Sequence, residues 1–261
     1  MTGNERILRE LTTAVEDHRP VALATIVSTR RSVPRHAGTK MLVYADGTTT
    51  GTVGGGAMEA EVIAAAREVI GDRRPRVVEY KLISPEEGDP GICGGEATLY
   101  LEPYMPPHTV YVIGCGHVGA AVVDLAHWLG YHTVAIDDRA ELVTAEALPN
   151  ADARFAGPVG EALAAHPVPE DASIVVVTRS PELDARILPD LLATGARYVG
   201  VMGSNKRWAE TRTELLAAGT PAEVLDRVHV PIGIELNAET LEEIAVSIMS
   251  EIIRENRMEA G

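Results

Sequence analysis

Three glycines at a fixed spacing are the residues of this sequence that most directly indicate binding chemistry. They are Gly114, Gly116 and Gly119, and they stand between an apolar run at residues 110–113 and an apolar helical stretch at residues 118–129. This spacing predicts a tight turn at Gly114, a close approach of the backbone to a pyrophosphate at Gly116, and close packing of helix on strand at Gly119. The free amides and partial positive charge at the start of the helix then favour phosphate.

An acidic residue follows the turn at the distance expected for a nucleotide site. Asp137 ends the next apolar run and lies 23 residues beyond Gly114, where a carboxylate accepts from a ribose hydroxyl. This pattern favours NAD or another nucleotide with an adenosine-type ribose. Arg139 keeps NADP open, because its guanidinium could pair with a 2′-phosphate. His117 lies inside the turn, and we count its backbone among the cofactor-binding groups.

Two further strand ends are expected to face the same crevice. Arg179 follows the apolar run at residues 174–178, and Gly203-Ser204 follows the run at residues 197–201. Ligands of open parallel sheets bind at the carboxyl ends of the strands, so all three residues are candidate cofactor-binding residues. The alternative is that both segments are plain turns between strand and helix.

A second glycine-rich segment lies in the first half of the chain. Gly54-Gly55-Gly56 stands directly before a helix predicted at residues 57–70, an arrangement suited to phosphate or another oxyanion. Glu59 lies in the first turn of that helix, where its negative charge also suits the helix dipole. Glu59 is therefore either a site residue or a carboxylate that serves the helix end alone.

A thiol is the remaining candidate for chemistry. Cys93 precedes Gly94 and Gly95, and a thiol between flexible segments could ligate a soft metal or accept sulfur as a persulfide. The alternative is a small buried apolar residue. We predict no resident metal site.

The elements that must position these residues fall into two groups. Short apolar strands alternate with helices after residue 108, which predicts βαβ units and a parallel sheet. Before it, the pattern predicts a smaller unit with helices at residues 4–17 and 57–70 and strands at residues 21–27, 40–44, 76–82 and 96–101. The prolines of Glu102–Pro107 predict a stiff linker. The expected fold is thus α/β: a small N-terminal α/β domain at residues 1–103, then a Rossmann-type doubly wound domain at residues 108–261.

The composition excludes several classes of protein. The 261 residues carry a net charge of −15, which argues against a nucleic-acid partner. No apolar run approaches the ~18 residues that cross a bilayer, so we expect no membrane partner. Two cysteines agree with a reducing compartment, and we expect a cytoplasmic protein. A homodimer is expected because two-fold homo-oligomers are the commonest.

Taken together, these motifs resemble the XdhC/CoxI family, the accessory factors of xanthine and carbon monoxide dehydrogenases. The matching segments keep their order along nearly the whole chain. In the first half they are residues 22–27, Ser32-x-Pro34-Arg35, Gly38, Asp46-Gly47, residues 51–59 and Cys93-Gly94-Gly95; in the second half they are residues 112–119, Asp137-Asp138-Arg139, Met202-Gly203-Ser204, residues 231–234 and residues 242–248.

The resemblance implies a function. The chain would bind molybdenum cofactor transiently and assist its sulfuration and its insertion into a xanthine dehydrogenase-type molybdenum hydroxylase, with a cysteine desulfurase as a further partner. It makes Cys93 the first choice for a cofactor-contacting residue and places Glu59 beside it as a catalytic candidate. Two departures from the family pattern matter: Ala57 stands where many members carry Cys, and Arg179 stands where many carry His.

Two other functions remain open at this point. One is an NAD(P)-dependent oxidoreductase, which would need a proton donor near the nicotinamide. His117 and Lys206 are the nearest candidates, and neither forms an evident acid–base pair. The other is a nucleotide sensor that changes its association with a partner.

Overall fold

The computed structural model describes residues 3–31, 33–81 and 95–258. Contacts divide the chain into two compact units, Met1–Pro106 and Pro107–Gly261, called here the first and second unit. No helix in the described part of the chain is long and apolar enough to cross a membrane.

The first unit is a five-stranded antiparallel sheet with a helix on each face. Its elements are α1 (Gly3–Glu16), β1 (Val21–Arg30), β2 (Lys40–Tyr44), β3 (Thr49–Gly51), α2 (Gly56–Asp72), β4 (Arg76–Lys81) and β5 (Glu96–Tyr104), and the strand order is β3-β2-β1-β5-β4. Helix α2 buries one apolar face, with Met58, Val62, Ala66 and Val69 all in the core. Helix α1 packs against the opposite face through Ile7, Leu11 and Ala14.

The predicted linker is wrong at its beginning. Strand β5 continues through Pro103 to Tyr104, and both residues pair with β1. Pro103 is tolerated because β4 begins only at Arg76, opposite Leu101, so β5 is an edge strand beyond Leu101. Distant residues of β1 therefore supply the pairing that the local proline content argued against.

The second unit is a six-stranded parallel sheet. Its elements are β6 (Thr109–Ile113), α3 (His117–Trp128), β7 (His132–Asp137), β8 (Ala153–Ala156), α4 (Val159–Ala165), β9 (Ser173–Val176), α5 (Pro181–Ala193), β10 (Tyr198–Val201), α6 (Asn205–Ala217), α7 (Ala222–Leu225), β11 (Val228–His229) and α8 (Leu241–Met258). The strand order is β11-β10-β9-β6-β7-β8, and all neighbouring strands run parallel. The predicted α/β fold class, with its doubly wound second domain, is confirmed.

The connectivity creates the crevice that the site needs. The chain leaves β6 toward β7 and β8 in one direction, and later continues from β9 to β11 in the other. Helices α3 and α8 belong to the core cluster on one face, and α4, α5 and α6 to the cluster on the opposite face. The carboxyl ends of β6 and β9 are therefore the point where the strand order reverses, which is where open α/β sheets bind ligands.

The last helix, α8, begins at Leu241. Thr240 caps it: its hydroxyl accepts from the amide of Glu243, while the Glu243 carboxylate accepts from the amides of Thr240 and Glu239. This reciprocal arrangement is a capping box, and it ends the irregular segment before α8.

Candidate functional site

Contacts inside the protein leave no room for a side chain at two glycines of the predicted turn. Gly114 has a φ of +100°, and a Cβ there would lie 2.7 Å from the carbonyl oxygen of Val177. A Cβ at Gly119 would lie 2.0 Å from the carbonyl oxygen of Gly114, so α3 can approach β6 this closely only without a side chain. Both positions therefore require glycine to build the turn.

Gly116 differs from both. It is the N-cap of α3 with φ −70°, a value open to any residue, and a Cβ there would meet no atom within 4 Å. Within the described chain no side chain caps this helix end. His117 follows as the first helical residue and is exposed. The start of α3 thus has open space beside Gly116 and no side-chain cap within the described chain, as a phosphate site at a helix N-terminus requires.

Asp137 is engaged within the protein. Its side chain is 2% exposed. Oδ2 accepts from the amide of Cys115 at 2.7 Å and from Nη2 of Arg139 at 2.9 Å, and Oδ1 accepts from the amide and Nε of Arg139, both at 2.9 Å. The carboxylate therefore ties the glycine turn to the end of β7.

A second ion pair joins the ends of β7 and β9. Arg179 binds both oxygens of Asp138 through Nη1 and Nη2, each at 2.8 Å. The Arg179 guanidinium holds the pKa of Asp138 far below its usual range, although both side chains are almost half exposed. Since β6 lies between β7 and β9 in the sheet, this pair connects the strands on either side of the glycine turn.

Beside these pairs lies a cavity of about 410 Å³. Its walls come from the ends of β6 and β7, from the residues before and within α4, and from α5. The lining residues are Ile113, Gly114, Ile136, Asp137, Asp138, Arg139, Gly157, Pro158, Val159, Gly160, Thr178, Arg179, Leu183, Arg186, Ile187 and Asp190. This volume lies within the range of small-molecule sites, and the mixture of apolar walls with a few charged groups is typical of them.

The ends of β9 and β10 carry a buried polar cluster that the sequence did not reveal. Asp184 is almost fully buried and accepts hydrogen bonds from the Thr178 hydroxyl and from Nη2 of Arg207. Burial raises the pKa of Asp184, and these two hydrogen bonds act in the opposite direction. An acidic residue on the apolar face of a helix is a sequence signal for a buried polar contact. The sequence does not identify its partner, because Arg207 lies 23 residues further along the chain.

Gly203 and Ser204 serve this cluster and the helix that follows. The Ser204 hydroxyl accepts from the amide of Arg207 at 3.2 Å and so caps α6. A Cβ at Gly203 would lie 3.0 Å from Cδ of Arg207. The contacts of both residues thus position Arg207, and their binding to a ligand stays a prediction.

In the first unit, the Glu59 carboxylate binds the glycine loop Gly54–Gly56 and the two residues before it. Its Oε2 accepts from the amides of Val53 at 3.2 Å and Gly55 at 3.1 Å, and from the Thr52 hydroxyl. The amide of Gly54 donates to Thr52 Oγ1. The loop amides therefore already bind an internal carboxylate, and sequence reasoning missed Thr52, which completes this network.

The three glycines of this loop have a conformational cause. Gly54, Gly55 and Gly56 have φ values of +146°, +78° and +68°, which side chains rarely adopt. Gly95 is buried and immediately precedes β5. Cys93 and Gly94 lie outside the described residues, so the proposed role of the thiol rests on the sequence.

Two family descriptions match this chain. Residues 110–252 match the XdhC Rossmann domain, and residues 14–81 match the XdhC and CoxI family. The first match alone covers more than half of the chain.

Curated relatives extend the similarity. The uncharacterized protein YqeB of Escherichia coli K12 is 30% identical over 250 residues, which are 95% of this chain and 46% of that protein. A protein of Bacillus subtilis 168 named as a probable subunit of xanthine dehydrogenase is 27% identical over 157 residues, 60% of this chain and 45% of that protein. The molybdenum cofactor insertion chaperone PaoD of E. coli K12 is 35% identical over 102 residues, 39% of this chain and 32% of that protein. The chain thus spans less than half the length of these relatives.

A solved structure shares the fold. The crystal structure described as a xanthine dehydrogenase from Bacillus halodurans superposes with a TM-score of 0.52 over 99% of this chain and 96% of that one. The two sequences are 23% identical, so this match supports the fold alone.

Proposed function

Because this chain belongs to the XdhC and CoxI family, we propose that it is an accessory protein that binds molybdenum cofactor and assists its insertion into a xanthine dehydrogenase-type hydroxylase. The relative named as an insertion chaperone supports this role, as does the relative named as part of a xanthine dehydrogenase. The cofactor is cargo in this proposal, handed on to the client rather than kept.

The observation that carries the proposal is the open start of α3. Gly116 has no steric reason inside the protein to be glycine, whereas Gly114 and Gly119 do. A glycine that the fold does not need, placed at a helix N-terminus with open space beside it, fits the close approach of a phosphorylated ligand. Molybdenum cofactor bears a phosphate tail, often extended by a nucleotide, and NAD(P) or another nucleotide would use the same amides.

The remaining candidates receive roles in the same proposal. Arg139 and Arg179 border the cavity beside the turn, and Gly203 and Ser204 position Arg207 at the neighbouring strand ends. Glu59 holds the amides of the Gly54–Gly56 loop, and a ligand oxyanion that binds this loop has to displace its carboxylate.

Sulfuration is the finer part of the proposal and assigns a reaction to Cys93. The Cys93 thiolate attacks the terminal sulfur of a persulfide on a cysteine desulfurase. The donor's S–S bond breaks, the donor leaves as a thiolate, and Cys93 carries the new persulfide. A mass increase of one sulfur atom on Cys93, absent in Cys93→Ser, tests this step; failure to find it after incubation with desulfurase and cysteine would remove it. We also propose a homodimer, which light scattering of the purified chain tests.

Cofactor retention tests the function itself. The protein is purified from cells that synthesise molybdenum cofactor and express the neighbouring hydroxylase, and its molybdenum and oxidised pterin are measured. We expect both in the wild type, and clearly less in Gly116→Ala. Gly71→Ala is the matched control. A Cβ at Gly71 in α2 also meets no atom within 4 Å, but Gly71 lies in the first unit, away from the glycine turn along the chain. A wild-type protein without molybdenum or pterin, and a hydroxylase that matures fully in its absence, would overturn the proposal.

An NAD(P)-dependent oxidoreductase is the second candidate, and the strand order with the glycine turn favours it. Oxidation of NADH or NADPH, followed at 340 nm in the presence of candidate carbonyl substrates, distinguishes it from an accessory protein. Turnover that does not require a hydroxylase would favour the enzyme.

A further inference from the structure

The carboxylate expected to bind a ribose is saturated by the protein itself. A carboxylate offers about four acceptor positions. In Asp137 the amide of Cys115 and three N–H groups of Arg139 take them. A ribose hydroxyl could donate to Asp137 only after displacing one of these donors, and each of them makes a short bond to a buried carboxylate.

Arg139 both binds this carboxylate and lines the cavity. Its bonds to Asp137 run through Nε and Nη2 and leave Nη1 outside the pair, and its side chain is 37% exposed while lining the cavity. A guanidinium held in one orientation by its own partner loses little further side-chain entropy when it binds a phosphate.

The surrounding charges permit an anion beside Arg139. Asp137 and Asp138 are each bonded to an arginine, so neither presents an unpaired carboxylate at this position. Arg186 and Asp190, both on the exposed side of α5, also line the cavity, so its lining holds three arginines and three aspartates.

The rest of the cavity fits the remainder of a nucleotide. Its walls include apolar side chains from both strands and helices: Ile113, Ile136, Val159, Leu183 and Ile187. A flat base packs favourably against such walls, and a planar guanidinium at the rim can stack on it. At about 410 Å³ the cavity has room for a base and a ribose.

We propose that this cavity takes the base and ribose of a nucleotide whose ribose carries an additional phosphate, as in NADP⁺, and that Arg139 binds that phosphate. The inference rests on the proposed nucleotide-binding role of the glycine turn and deepens it. In this proposal Arg139, rather than Asp137, recognises the substituent on the ribose. Asp137 instead positions both Arg139 and the turn.

The discrimination follows from these contacts. A ribose with a free 2′-hydroxyl finds no available acceptor on Asp137 and offers Arg139 only an uncharged oxygen. A 2′-phosphate gives Arg139 charge-assisted hydrogen bonds, which are about twice as strong as neutral ones. We expect NADP⁺ to bind at least about tenfold more tightly than NAD⁺, a difference of about 1.4 kcal/mol.

Titration calorimetry of the purified full chain with NADP⁺ and NAD⁺ tests this preference. Arg139→Ala should reduce the ratio of the two affinities to about one, and Arg139→Lys should keep part of it because the charge remains. Arg212→Ala is the matched control: Arg212 is also a partly exposed arginine paired with an aspartate, Asp226, and lies outside the cavity lining. Its ratio should equal that of the wild type.

Equal or tighter binding of NAD⁺, or no binding of either dinucleotide, overturns the inference in the wild type alone, before any variant is made. An unchanged ratio in Arg139→Ala also overturns it. Molybdenum and pterin are measured in the same preparations. If the protein retains molybdenum cofactor but shows no preference for NADP⁺, this inference fails and the proposed function stands. If it prefers NADP⁺ but retains no cofactor, the proposed function fails and this inference stands.

Discussion

Replacing Asp137 by asparagine tests whether this carboxylate holds the second unit together. In either orientation of the amide, its NH₂ group faces two donors and two of the four hydrogen bonds are lost. Hydrogen bonds to charged groups contribute about 1.5–3 kcal/mol each. Arg139 is 37% exposed and regains water, so we expect the loss to be about 2–4 kcal/mol in total.

Tryptophan fluorescence during urea unfolding measures this loss selectively. Both tryptophans of the chain, Trp128 and Trp208, lie in the second unit. Trp128 is 79% exposed, whereas Trp208 packs partly buried against the core, so the signal reports on Trp208. With a typical urea dependence of about 2 kcal/mol per molar, the midpoint should fall by about 1–2 M.

The neighbouring acid provides the control. Asp138 is 45% exposed and paired with an arginine that is equally accessible, and such surface pairs contribute up to about 1 kcal/mol. Asp138→Asn should therefore shift the midpoint far less. Equal shifts in the two variants, or a wild-type midpoint in Asp137→Asn, would refute the reasoning.

Three further outcomes follow from the contacts. Gly119→Ala should destabilise the second unit by at least about 2 kcal/mol in the same urea assay, since its Cβ would clash with Gly114, whereas Gly116→Ala should keep the wild-type midpoint and lose nucleotide affinity. Glu59→Ala should speed amide hydrogen exchange in the loop whose amides it accepts from, and unchanged exchange would contradict that role. Burial raises the pKa of Cys115 to about 12, so this thiol should resist labelling at pH 8. Because its pKa in the unfolded chain is about 9, the unfolded chain loses this proton first, and the free energy of unfolding should decline from pH 9 upward.

The sequence predicted those parts of the site that depend on neighbours along the chain. Apolar runs bounded by glycine identified the strands of the parallel sheet, and the glycine spacing identified the turn after β6. The reason is steric and local: Gly114 needs a positive φ, and Gly119 touches a residue only five positions away. The three prolines after residue 102 were a misleading local signal, because pairing of Pro103 and Tyr104 with β1 outweighs them.

Tertiary structure decided which donors each carboxylate meets. Asp137 was expected to accept from a ribose, but the fold brings the amide of Cys115 and the side chain of Arg139 to it first. Asp184 and Arg207 meet only because β9 and β10 are adjacent in the sheet. A carboxylate has about four acceptor positions, and the sequence does not say which donors fill them.

The sequence by itself thus determined the doubly wound fold and the glycine turn after β6, since periodicity and glycine spacing depend on residues close along the chain, and its motifs identified the family. Only the tertiary structure decided that Asp137 faces inward, that Arg139 borders the cavity, and that Glu59 fills the glycine loop. These assignments depend on burial and on hydrogen-bond partners, and the folded chain alone brings those together.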